Sequence, residues 1–202
     1  ALYCKEPGTV RRIYGKISGR VLSLKGVEGL TFEEARAYLC ELIINETRRF
    51  KFLLNSERLD NDEKNMYHEL LSLQEEKDSV LAAKLKLSLK KISELLYKHY
   101  GQKVIFLIDE YDVPLDKAFQ HGYYKKMVSL IRGVFGEVLK TNDFLMFAVL
   151  TGCLRVSKES IFTGLNNFKV YSADDIRYDE EFGFTNEDVK KILSDYNQQD
   201  HF

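Results

Sequence analysis

The sequence predicts an α/β fold, and three observations carry that expectation. Two short apolar runs, residues 104–108 and 144–150, are unbroken by any charge and rich in branched and aromatic side chains. Such runs read as strands buried on both faces of a parallel sheet. Stretches with helical spacing of apolar residues lie before, between and after them. Alternation of strand and helix is the pattern of an α/β domain. The first run also ends directly in Asp109, Glu110 and Asp112, and the carboxyl end of a parallel strand is where such sheets place their ligands.

Residues 1–20 read as a basic loop or an irregular edge strand. Gly8, Gly15 and Lys16 look at first like a phosphate loop. Ile17 stands where Ser or Thr is required, the spacing between the glycines is wrong, and no apolar strand precedes them. Residues 21–25 (VLSLK) form a short strand, followed by a loop with Gly26 and Gly29. Thr31 with Glu34 makes a capping box. It opens a helix to about residue 54, with Phe32, Ala35, Leu39, Leu42 and Ile43 on one face. A polar break at 55–61 separates it from a helix at 62–73. A solvated connector and a third helix at 79–99 follow. That helix carries Leu81, Leu85, Leu89 and Ile92 on one stripe and stops at Gly101. Its Lys84, Lys86, Lys90, Lys91 and Lys98 read as a solvated face.

The acidic strand comes next. Pro114 marks its limit, and a loop is expected as far as Gly122. Residues 123–140 read as a helix, 141–143 as a turn, and 144–150 as a second fully buried strand ending in Thr151-Gly152. A short strand is expected at 168–171. Thr185 with Asp188 resembles a capping box and opens a last helix carrying Val189, Ile192 and Leu193.

Composition narrows the function classes. At 202 residues with 45% hydrophobic side chains, one medium domain, with or without an appendage, has a full core. The net charge of −1 points to no nucleic-acid or anionic-membrane partner. The longest apolar run, about seven residues, is far too short to span a bilayer. Cys4, Cys40 and Cys153 are odd in number and scattered, which fits free thiols in a reducing cytoplasm better than disulfides or a zinc site. The chain begins with Ala and ends just after a helical pattern, so a segment of a longer protein is expected.

An apolar strand ending in Asp-Glu is the Walker B pattern of P-loop ATPases. There the Asp helps to hold Mg2+ and the Glu orients or deprotonates the attacking water. Acids are common at strand ends, so these residues alone leave the choice open. The wider order of motifs decides it. IDEYDVPLDKA at 108–118, HGYY at 121–124, LTGCLRVSKESIFTGLNN at 150–167 and FGFTNEDV at 182–189 resemble the bacterial AAA-ATPase-like family. The likeness extends back through VLSLKGVEGLTFEEA at 21–35. Members carry an N-terminal P-loop ATPase domain, often followed by a C-terminal domain of the PD-(D/E)XK nuclease type.

The resemblance implies a three-layer, P-loop NTPase-like parallel sheet flanked by helices, at 21–184. Residues 1–20 would be an irregular N-terminal segment and 185–202 the start of a C-terminal helical lid. It makes Asp109 the Mg2+-associated carboxylate and Glu110 the water-orienting base, with Asp112 a further acid beside ATP and its metal. Thr151 takes a sensor position near the γ-phosphate. Arg155 has two readings: a charge that meets phosphate, in cis or across a subunit contact, or a structural ion pair. Asn166 and Asn167 match the family pattern and receive no chemistry.

One departure stands out. The family's Walker A segment would precede residue 21, and this sequence does not contain it, so the sheet is expected to be incomplete. In this ATPase class the Walker A strand lies beside the sensor strand. ATP and Mg2+ are therefore expected to bind poorly here. The expected partners are ATP and either the remaining segments of the protein or further copies of it. The alternatives are a non-catalytic interaction module derived from such an ATPase, and a metal-dependent nuclease. The PD-(D/E)XK pattern needs a carboxylate two residues before a Lys, whereas Glu110 is followed two residues later by Asp112.

Overall fold

The computed structural model describes residues 19–140, 142–153, 169–171 and 184–198. Arg155, Asn166, Asn167, most of the 1–20 segment and Cys4 lie outside them. The described residues fall into two compact units, one holding 19–153 and the other 169–171 with 184–198.

The larger unit is α/β, with a three-stranded parallel sheet in the order β1-β2-β3. The strands are β1 (Gly19–Ser23), β2 (Val104–Asp109) and β3 (Leu145–Leu150). Between β1 and β2 run α1 (Phe32–Arg48), α2 (Asn61–Leu71) and α3 (Asp78–Tyr100), with 3-10 turns at Lys51–Asn55 and Leu73–Glu75. Between β2 and β3 run α4 (Val113–Gln120) and α5 (Tyr124–Leu139).

Local chemistry sets these limits. Thr31 accepts from the Glu34 amide while the Glu34 carboxylate accepts from the Thr31 amide, closing the capping box of α1. Asp60 and Glu63 do the same for α2. Gly101 ends α3 with a φ of +69°, the left-handed conformation that glycine adopts without a Cβ clash. The core joins Leu22, Val104, Phe106 and Ile108 from the sheet to Leu39, Ile43, Leu85, Leu89, Ile131 and Phe135 from the helices. Tyr67 is buried among them with its hydroxyl donating to the Thr47 carbonyl.

Two expectations are corrected. The loop expected after Pro114 is the helix α4, with Pro114 in its first turn. There the missing amide costs nothing and the fixed φ favours the helix, while Leu115 and Ala118 anchor it in the core. The second strand is not fully buried: Met146 is 54% and Phe147 43% exposed. Met146 falls at a register shift, with no residue of β2 opposite it, and the register accounts for Phe147. Ala148 and Leu150 lie level with Phe106 and Ile108 on the helix-covered face, whereas Phe147 and Val149 lie level with Ile105 and Leu107 on the other. Among the described residues no strand pairs with the outer edge of β3. Residues 169–171 carry no strand either.

The smaller unit holds α6 (Asn186–Asp195), opened by the expected capping box of Thr185 and Asp188. Hydrogen bonds from Thr185 hold the Asp188 carboxyl below its usual pKa. Ile192 is largely exposed. No described helix is long and apolar enough to cross a membrane.

Candidate active site at the strand ends

The parallel register brings the carboxyl ends of all three strands together. Ser23 lies level with Asp109, and Ile108 level with Leu150. Backbone bonds continue the ladder past the strands. The Leu24 amide donates to the Asp109 carbonyl (2.9 Å), the Thr151 amide to the Ile108 carbonyl (2.8 Å), and the Tyr111 amide to the Thr151 carbonyl (3.2 Å).

Side chains complete the constellation. Asp109 Oδ1 accepts a hydrogen bond from the Thr151 hydroxyl and another, 3.0 Å long, from the Glu110 amide. Glu110 stands at a φ of +56°, a left-handed conformation that strains a residue with a Cβ. Its Oε2 accepts from the Ser23 hydroxyl at 2.9 Å, and the same Ser23 oxygen accepts from the Lys25 amide at 3.3 Å. The sheet therefore brings Asp109, Glu110 and Thr151 together, as the sequence led one to expect.

Asp112 is placed differently. It is 3% exposed, and its Oδ2 accepts from the Cys153 amide at 3.1 Å. It ties the chain after β3 to the start of α4. A Cβ at Gly152 would run into Asp112 Oδ1 and come within 3.0 Å of the Tyr111 ring, so this crossing requires glycine. Ser23 and Gly152 were not singled out from the sequence. Nothing in a local pattern says which strand will pair beside the acidic one.

Neither Asp109 nor Glu110 takes part in an ion pair among the described residues. Two carboxylates without a basic partner favour a cation. The available donors are hard oxygens: Asp109 Oδ2, Glu110 Oε1 and the Thr151 hydroxyl. This set suits Mg2+, which binds through one or two carboxylates and fills its other positions with water and phosphate. Among the described residues no three acidic, His or Cys side chains are placed to hold a metal by themselves. Asp109 and Glu110 could contribute ligands to a metal but do not form a self-sufficient cage.

Comparison with known proteins agrees with the fold. The family model described as "Predicted AAA-ATPase" matches residues 21–162. An "Uncharacterized protein in vnfD 5'region" of Azotobacter chroococcum mcd 1 is 33% identical over 95 residues, 46% of this chain. The match covers 18% of that relative's own length. No solved structure matches. With the family model covering residues 21–162, most of its length, the chain belongs to the predicted AAA-ATPase family.

Proposed function

We propose that the strand ends form the metal-and-water half of an ATP site, whose phosphate-cradling half lies outside the described residues. The observation that carries this reading is the hydrogen bond between the Asp109 carboxylate and the Thr151 hydroxyl, at the tips of two adjacent parallel strands. Asp109 would hold Mg2+ and Glu110 would orient or deprotonate the attacking water. Thr151 would sense the γ-phosphate, and Asp112 would position the chain beneath them. The magnesium would neutralise phosphate charge and align the terminal phosphate when bound. Arg155 would supply a further positive charge to that phosphate.

Among the described residues no strand pairs with the outer edge of β3, and a strand carrying the phosphate loop would pair there. A phosphate loop contributes a nest of backbone amides. Without it, two carboxylates repel nucleotide unless metal is present. Isothermal titration of ATP with Mg2+ into this chain should give weak, metal-dependent binding. Tight micromolar binding contradicts the partial-site reading.

A second reading has its own observation. Exposed Met146 and Phe147, beside a strand edge that no described strand pairs with, also suit a non-catalytic module that docks another chain. The gene separates the two: G-x-x-x-x-G-K-[ST] encoded upstream of residue 1 favours the ATPase, and an in-frame start codon at that point favours the module.

A further inference from the structure

A cavity of about 170 Å3 opens between the tail of β1 and α1, lined by Ser23, Tyr38, Glu41, Asn45 and the apolar Leu42. At ~30 Å3 per water it has room for five or six waters, about the size of a guanidinium with its first methylenes. Glu41 is the charged side chain in its wall. Its carboxylate and the Tyr38 hydroxyl make no hydrogen bond or ion pair among the described residues. The Ser23 hydroxyl gives its proton to Glu110, so it faces an occupant as an acceptor. The Asn45 carbonyl already accepts from the Arg48 guanidinium at 2.9 Å.

We propose that this cavity takes a guanidinium or ammonium group, and that Ser23 passes its occupancy to Glu110. A wall whose single charged group is the Glu41 carboxylate disfavours phosphate and favours a cation. Leu42 supplies an apolar surface for the carbon stem. An occupant that donates to Ser23 competes with the Lys25 amide for the oxygen that holds Glu110, and so changes the setting of that carboxylate. The binding claim stands on the cavity alone. The transmission to Glu110 matters for turnover only if the ATP-site reading holds. The group could belong to a free small molecule or to an arginine of a second copy of this chain.

The test is amide chemical-shift titration of this chain with methylguanidinium, with methyl phosphate as the control. Saturable shifts are expected at residues 23–45 and at Glu110 with methylguanidinium and not with methyl phosphate. Glu41→Gln should weaken binding by up to about fivefold, the scale of an exposed ion pair. Gly26→Leu gives an independent block. Gly26 lies at the cavity, and a Cβ there would meet nothing within 4 Å, so the larger side chain fills open space. Ser23→Ala should abolish the response at Glu110 while the shifts near Glu41 persist. Shifts at the same residues that grow with protein concentration, without added probe, would identify the second copy as the source. Absence of saturable shifts, or binding indifferent to both Glu41→Gln and Gly26→Leu, overturns the proposal. Nucleotide titration reports separately on the ATP-site reading.

Discussion

At position 110 the backbone takes a left-handed turn that a glutamate tolerates poorly. The φ of +56° directs the Glu110 carboxylate to Ser23 on the neighbouring strand. Replacing Glu110 by Gly or by Ala removes the carboxylate in both cases, and only Gly relieves the strain. Glu110→Gly should therefore be more stable than Glu110→Ala by about 1 kcal/mol. Denaturant midpoints of the two variants decide it, and equal stability would show that the backbone is not held there. Gly152→Ala should be costly, by about 1–3 kcal/mol, because its methyl would enter the Asp112 carboxylate. Cys40, 1% exposed, gives a prediction in pH. Burial pushes its thiol up to about 11 from 9.0, against a smaller downward pull from Arg36. Below pH 9 the thiol is protonated folded and unfolded, and contributes nothing to the pH dependence. Between 9 and 11 the unfolded thiol loses its proton while the folded one keeps it, so stability falls as pH rises. Tyr67 and Tyr123, whose pKa values burial also raises, add a slope of the same sign above about 10. Cys40→Ala should remove the earlier part of that loss, measured as midpoints below pH 9 and near pH 11.

Among the elements, the helices were the most legible. Thr31 with Glu34 and Thr185 with Asp188 announce the starts of α1 and α6, because a capping box is written in four consecutive residues. Thr31→Ala should cost about 1 kcal/mol of stability. α4 was missed because Pro114 reads as a stop until its place in a first turn is known. β3 misled for another reason: an apolar run shows that a strand suits burial and does not show that a partner covers both faces. Met146→Lys should consequently leave stability within about 0.5 kcal/mol of wild type, whereas Phe106→Ala on the covered face should cost about 3–5 kcal/mol. Thermal denaturation of the pair checks the difference. If Met146→Lys proves as costly as Phe106→Ala, Met146 is covered.

On the scale of the molecule, the site is assembled from three strand ends that lie far apart in sequence. Asp109 and Thr151 were legible because each closes an apolar run, and parallel neighbours bring such ends level. Ser23 closes a short, mixed run and gave no such signal. Arg155 lies outside the described residues. The most direct test replaces magnesium with paramagnetic Mn2+ and adds ATP in excess, so that weak occupancy is visible in the amide relaxation of this chain. Broadening should centre on Asp109, Glu110 and Thr151, require the nucleotide, and vanish in Asp109→Ala. Broadening centred elsewhere, or unchanged in Asp109→Ala, would contradict an ATP-and-metal site at these strand ends.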